Sequence, residues 1–422
     1  MPSTSQVSFW EKNEALRNST FRRFLSFRFF LICALNMQVT ILAYWIYDIS
    51  GNVKLVGELG LWEAIPAITC SLFSGHFVER REKRNLLVVC AIIYIGIASY
   101  FLYLTYMQQA GLLGNILSIR LAFIGVLLGG IVRSIIGPST FSMVGLLAPR
   151  KILPNAASWS STAWYIGAVS GPLLGGLLIG QYGVKASFII VLCLLSFALI
   201  SILGVPTQKI INQVKEPVLK SLKKGLSFVF NTPIILSVLS LDMFAVLFGG
   251  AVALLPVFAK DILKVGEMGF GIMRAAPGIG AIITMGILAM YPIKKHAGVK
   301  MLLCFLGFGL CIIVFGISKS FALSVFMLML GGLFDAVSVV IRSTVLQLHT
   351  PEEMKGRVAA VNTMFISSSN ELGEVESGYT AAWMGTIPSV IFGGSMTIVI
   401  VMITAILVPS LRKLQIYNDK TS

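Results

Sequence analysis

The sequence predicts an all-α polytopic membrane protein with about twelve transmembrane helices, arranged as two pseudo-symmetric six-helix halves. Three observations carry this expectation. The mean hydropathy is +0.87, and 56% of the 422 residues are hydrophobic against 12% charged, a balance foreign to a water-soluble domain. Apolar stretches of about 20 residues, enough to cross a hydrocarbon core of about 30 Å, recur along the whole chain. Finally, short segments of the first half return in the second, in the same order and at a near-constant offset.

The spans fall near 26–48, 55–78, 85–106, 115–146, 156–180 and 184–206 in the first half. Those of the second half fall near 232–259, 267–290, 299–318, 320–347, 357–385 and 387–410. The domains are accordingly 1–206 and 232–422. Between them "TQKIINQVKEPVLKSLKKGLSFVFN", 207–231, is Lys-rich and polar, and reads as a cytoplasmic linker that contains an amphipathic surface helix.

The basic clusters Arg22–Arg23, Arg80–Arg84 and Lys220–Lys224 all abut spans, and with both termini in the cytoplasm most Lys and Arg lie on the inner side. The net charge of +15 is therefore topogenic, and a nucleic-acid-binding role is set aside. The first 20 residues are polar and carry Glu11 and Glu14, so no cleavable leader is expected. The six cysteines lie inside spans and His76, His296 and His349 at span ends, none with metal-ligand spacing. No metal and no cofactor are expected. An enzyme is also set aside, because the loops are short and the buried charges lie in mid-span, away from any catalytic loop at the membrane surface. A nucleotide-binding glycine loop is missing as well.

The repeat brings charge with it. "VGELGL" at 56–61 returns as "VGEMGF" at 265–270, "EAIP" at 63–66 as "RAAP" at 274–277, and "LGGIVR" at 128–133 as "LGGLFD" at 330–335. Glu63 thereby corresponds to Arg274, and Arg133 to Asp335. Ionisable groups at such depth cost a few kcal/mol each and face one another or a watery cavity. Structural pairs that lock the halves together account for them as well as functional groups do. Pro66 and Pro277 each follow their charge by three residues and free a backbone carbonyl, which suits a helix lining a cavity.

Two further motifs follow. "GHFVERREKR", Gly75 to Arg84, joins spans 2 and 3 and follows the pattern G-x-x-x-D-R-x-G-R-R, with Glu79 in place of Asp and Glu82 in place of the second Gly. Glu79 beside Arg80, Lys83 and Arg84 can form a charge latch against a neighbouring helix that opens as the halves rock. In span 5 "GAVSGPLLGG" places Gly167, Gly171, Pro172, Gly175 and Gly176 at spacings that allow close helix approach.

With these motifs the chain resembles the major facilitator superfamily. The R-x-x-x-G element of Arg133 and Gly137 and the exporter-associated glycines of span 5 belong to the same resemblance. "SVVIRSTVLQLHTPEEMKGRVAAVN", followed by "SNELGEVESG", is similar to the enterobactin-exporter-like (transmembrane secretion effector) branch. That resemblance implies the major facilitator fold in a cell inner membrane, with span 11 beside span 2. It implies proton-coupled export of a siderophore or other small amphipathic molecule. Macrolide or multidrug efflux and lysophospholipid flipping are the alternatives.

The stretch "SSSNELGEVESG", 367–378, sets Glu371, Glu374 and Glu376 inside span 11. Glu371 and Glu374 are three residues apart and share a helix face, while Glu376 points elsewhere. Two carboxylates on one low-dielectric wall cannot both ionise cheaply, so the pair, with Glu63, is a candidate carrier of the coupling proton or of a cationic part of the cargo. Asp242 in span 7 and Asp335 in span 10 are further candidates, with Arg133 as the partner of Asp335. Arg133, Arg274 and Arg342 are candidates for acidic groups of the cargo. Helix capping around Gly373 and Gly378, or hydrogen bonding across to span 2, is the structural alternative for the three glutamates.

Overall fold

The computed structural model describes residues 14–149, 152–208, 218–291, 293, 296–351 and 354–415, and among these it is helical with no strand. The first helices are α1 (Ser19–Ser50), α2 (Val53–Glu79), α3 (Lys83–Gln109), α4 (Asn115–Leu147) and α5 (Leu153–Leu203). They are followed by α6 (Val218–Asn231), α7 (Pro233–Gly249), α8 (Gly266–Met290) and α9 (Ala297–Ile317). The last three are α10 (Phe321–His349), α11 (Lys355–Met384) and α12 (Thr386–Leu407). Among the described residues nine helices are long and apolar enough to cross a membrane. Neither α2 nor α11 is among them, and these are the helices that carry Glu63 and the Glu371–Glu376 patch.

Helix α5 has 51 residues, over twice what a bilayer requires, and Gly183 breaks its helical geometry with φ 77°. Its two arms correspond to the separate spans expected at 156–180 and 184–206. The span expected at 232–259 is also discontinuous. It ends as α-helix at Gly249, continues through a 3-10 turn, Val252–Leu254, and finishes in a π turn, Phe258–Ile262. Gly249, Gly250 and Pro256 supply the break.

Local chemistry sets the other boundaries. The Asn18 side chain accepts from the Thr20 and Phe21 amides to start α1, and Asn52 accepts from Lys54 to start α2. Between these helices Gly51 takes the left-handed conformation (φ 63°) that closes a tight turn. Glu82, the residue that departs from the glycine pattern, caps α3 by accepting from the amides of Arg84 and Asn85. The turn keeps its shape by a capping carboxylate instead of a flexible glycine.

Helices α1 to α5 pack mainly among themselves, as do α7 to α12, and α2 with α11 and α5 with α8 join the two groups. Apolar burial gives little drive between helices in lipid, so close approach at glycines has to supply dispersion contacts. The approaches recur in corresponding places. A Cβ on Gly130 would fall 2.3 Å from the Glu63 carbonyl oxygen and 2.8 Å from Pro66, and one on Gly332 would fall 2.1 Å from the Pro277 carbonyl oxygen. Helix α6 lies on α11 and α7: Val229 is buried with Val358 and Val361, and Gly225 fits against Arg357.

Candidate functional site

Midway along their helices, α2, α4 and α11 bring Glu63, Arg133, Glu371 and Glu374 together, and Arg274 on α8 adds a fifth charge that acts on them electrostatically. Arg133 Nη1 donates to Glu63 Oε1 at 2.8 Å and to Glu371 Oε1 at 3.1 Å, so one guanidinium bridges the two helix groups. Glu374 lies one turn along α11. Gly60 makes room for both acids, since a Cβ there would fall 2.8 Å from Glu374 Oε2 and 3.1 Å from Glu371 Oε2. Arg274 on α8 stands within electrostatic reach of Glu374, Glu63 and Glu371.

Three carboxylates against two guanidiniums leave one excess negative charge when all are ionised. The side chain of Arg133 keeps 49% of its surface open, against 18% for Glu63 and 11% for Glu371. Arg133 is therefore the open member of the bridge, while its partners are more enclosed. Such an arrangement can exchange a carboxylate for an anionic ligand, or ionic contacts for a proton, at small net cost.

The remaining candidates lie elsewhere. Asp242 and Arg342, expected to serve coupling and cargo, pair with each other inside the second helix group, both side chains 5% exposed. Ser338 Oγ adds a hydrogen bond of 3.3 Å to Asp242 Oδ1. Arg342 and Asp242 thus occupy each other in this structure. The expected partnership of Arg133 with Asp335 gives way to Glu63 and Glu371, because α4 packs on α2 and α2 on α11, whereas α10 packs on α8. Asp335 is half-buried, within electrostatic reach of Tyr165. Glu376 is half-buried, and its carbonyl accepts from Thr380 Oγ1 at 2.8 Å.

In the link between α2 and α3, Arg84 donates to the Leu203 and Val205 carbonyls at 2.9 and 3.2 Å, and Glu82 accepts from the Gln208 amide at 2.9 Å. These bonds fasten the start of α3 to the end of α5 within one helix group. Lys83 is buried and donates to the Arg81 carbonyl at 2.9 Å, while Arg80 is exposed. The surroundings of Gly75 and the side chain of Glu79 lie outside the described residues.

The glycines of α5 face two ways. A Cβ on Gly167 or Gly171 would meet α1 at Phe29, Cys33 and Asn36, and one on Gly175 would touch Thr40. A Cβ on Gly176 would instead fall 2.6 Å from Gly271 Cα across the groups, and one on Gly271 would fall 2.7 Å from the Pro172 carbonyl oxygen. Helix α11 does the same, with Gly373 against Leu247 of α7 and Gly378 against Gly57 of α2.

Sequence reasoning missed a second network, at the face where α1 turns into α2. The Tyr44 hydroxyl donates to Glu267 Oε1 at 2.8 Å, Tyr47 to Asp261 Oδ2, and Lys260 pairs with Asp48. The Tyr379 hydroxyl donates to Glu58 Oε1 at 3.2 Å, and Lys54 Nζ sits 4.3 Å from the Tyr379 ring centre. All of these cross between the groups. Their acids stand at span ends, where charge is ordinary. The signal available was their repetition, since Glu58 and Glu267 occupy the same place in "VGELGL" and "VGEMGF".

Comparison with known proteins adds to this geometry. A family model described as Major Facilitator Superfamily matches residues 24–374. The enterobactin exporter EntS of Shigella boydii serotype 18 is 25% identical over 391 residues, covering 90% of this chain and 88% of that protein. The Escherichia coli O127:H6 protein of the same name is 26% identical over 390 residues, with the same coverage of 90% and 88%. Among solved structures, a POT family transporter in complex with 5-aminolevulinic acid aligns at TM-score 0.73 and 14% identity, covering 96% of this chain and 98% of that one. A D-xylose-proton symporter aligns at TM-score 0.71 and 12% identity, covering 94% and 99%. The inward-facing, unoccupied structure of a bacterial homologue of the human lysosomal transporter Spinster aligns at 0.65 and 15% identity, covering 94% and 97%.

Proposed function

Since the chain belongs to the major facilitator superfamily and is a multi-pass membrane transporter, we propose that it exports a small amphipathic molecule, a siderophore in the first instance, in exchange for protons. Its halves are 1–206 and 232–422, with 207–231 as the cytoplasmic linker, and it sits in an inner membrane with both termini in the cytoplasm. The observation that carries this reading is the bridge Glu63–Arg133–Glu371 between the two helix groups.

A proton on Glu371 removes one side of that bridge and leaves Arg133 held by Glu63 alone. An acidic group of the cargo competes for the same guanidinium and for Arg274, so cargo and carboxylate exclude each other. Glu374 gives the proton a second place one turn away. Exchange of the two ligands then shifts the balance between two orientations of the helix groups, which is alternating access. The Tyr44, Tyr47 and Lys260 contacts suit the face that is shut in one of those orientations. The relation to enterobactin exporters favours an anionic, catecholate-type cargo.

One feature favours macrolide or multidrug efflux as a second reading. Trp62 stacks on Phe123 at 5.6 Å and 8°, next to Glu63 in the chain, and remains partly exposed. Such a surface accepts a planar or bulky apolar cargo.

The experiment that decides is proton release by the purified protein on addition of catecholate and carboxylate siderophores, macrolides and lysolipids in turn. Catecholates are expected to release protons from the wild type and not from Glu371→Gln or Glu374→Gln. Binding with the same proton release in both variants overturns the coupling role of these acids, and a response to macrolides alone selects the second reading.

A further inference from the structure

At the face where α1 turns into α2, a cavity of about 480 Å³ opens between the two helix groups. Tyr47, Gly51 and Val53 of the first group line it, and so do Val257, Asp261 and Ile387 of the second. Tyr47 and Val257 are buried, whereas Gly51, Asp261 and Ile387 are exposed, so the cavity runs from the seam between the groups out to the surface. Its size lies within the range of about 300–1,000 Å³ that small-molecule sites occupy. Neither the central charge cluster nor the stack of Trp62 on Phe123 contributes to its wall. In the orientation proposed above, this face is the external one.

Among the described residues Asp261 is the one charged member of the wall. The Tyr47 hydroxyl donates to Asp261 Oδ2, which leaves the charge in place. Lys260, the adjoining base, is bonded to Asp48, and that pair is neutral as a unit. Val53, Val257 and Ile387 make much of the remaining wall apolar. One net negative charge in an apolar recess selects a cation that carries an apolar body. The ammonium group meets the carboxylate, and the body displaces water from the aliphatic side chains. An anionic cargo of the kind proposed for the central cluster is repelled here by Asp261.

Both groups supply the wall, so the cavity is complete only while this face is closed. A ligand that fits it has no equivalent seat once the groups part, and its binding shifts the balance toward the closed face. We propose that this cavity is a regulatory site for a small amphipathic cation, which binds from outside, bridges the two helix groups and holds this face shut. The inference rests on the alternating-access reading above and adds to it a second ligand, one that slows the cycle without competing for Arg133.

The test uses the full chain in nanodiscs of zwitterionic lipid and three probes. Phenethylammonium has both charge and body, methylammonium has the charge alone, and 2-phenylethanol has the body alone. Calorimetry is expected to show saturable binding of phenethylammonium only, weakened several-fold in Asp261→Asn and in Ile387→Trp. The second variant fills the recess from its exposed rim and leaves the bond between Tyr47 and Asp261 intact, so it decides the matter where Asp261→Asn fails to fold. Closure is followed by disulfide formation between Asp48→Cys and Lys260→Cys in a chain whose six cysteines are replaced. Phenethylammonium is expected to raise the rate of that reaction several-fold. No saturable binding to wild type, or equal binding of all three probes, overturns the site. Binding that survives both cavity variants and is lost in Glu371→Gln overturns it in favour of the central cluster. Binding at the cavity with an unchanged rate of disulfide formation overturns the closing action. A different result marks failure of the alternating-access reading: the cysteine pair reacts at once without any probe, and the oxidised protein still exchanges catecholates for protons. The calorimetric site would then stand without its regulatory action.

Discussion

Arg133 and Arg342 are both buried-span arginines bonded to acids, yet their surroundings give opposite expectations. Arg342 and Asp242 are sealed together, so Arg342→Met strands a carboxylate in the protein interior and is expected to destabilise by about 3–5 kcal/mol. Thermal unfolding in detergent measures this, and Asp242→Asn combined with Arg342→Gln is expected to recover most of the loss. The side chain of Arg133 is half open, so its removal leaves its partner acids less sealed than Asp242. Arg133→Gln is expected to unfold within a few degrees of wild type and to abolish uphill transport. A large fall in unfolding temperature would make Arg133 a structural residue. The sequence made these charges conspicuous by their depth, and the repeat alignment related Arg133 to Asp335. Alignment of repeats identifies equivalent positions, however, and equivalent positions in two halves need not touch. Contact depends on how the helices of one group face those of the other, which no single-span pattern encodes.

At the scale of helices, glycine contacts separate tolerant from intolerant positions. Gly332 lies against the backbone of α8, and backbone has nowhere to move, so Gly332→Val is expected to abolish accumulation of folded protein. Gly137 opens onto free space, and Gly137→Ala is expected to leave expression and unfolding unchanged. Comparing the two by fluorescence-detected size exclusion decides whether the close approaches hold the bundle together. Element positions were legible because about 20 apolar residues in a row have few structural options in a membrane. The broken end of the seventh span was not, since its glycines and proline lie within an unbroken apolar run. Neither was the role of Glu82, since a capping carboxylate and a topogenic charge look alike in one dimension.

For the molecule as a whole, the crossing contacts of Lys260 with Asp48 and of Tyr47 with Asp261 fasten two helix groups at one face. A disulfide between Asp48→Cys and Lys260→Cys, in a chain whose six cysteines are replaced, is expected to stop transport while cargo binding persists, and a reductant is expected to restore it. Undiminished transport by the oxidised protein would show that this face does not part during the cycle. Fold class and family were legible at this scale from composition and motifs. The crossing network was not, because its members sit among ordinary interfacial charges.

The bond from the Gln208 amide to Glu82 also acts on the whole molecule. It pins the chain to the first helix group just before the connection to α6, which is itself seated on the second group. Ten residue steps separate Gln208 from Val218, a connection of at most about 35 Å even at full extension. Its length sets an upper bound on how wide that face can gape, and so on the girth of any cargo admitted there, independently of every side chain in the central cluster.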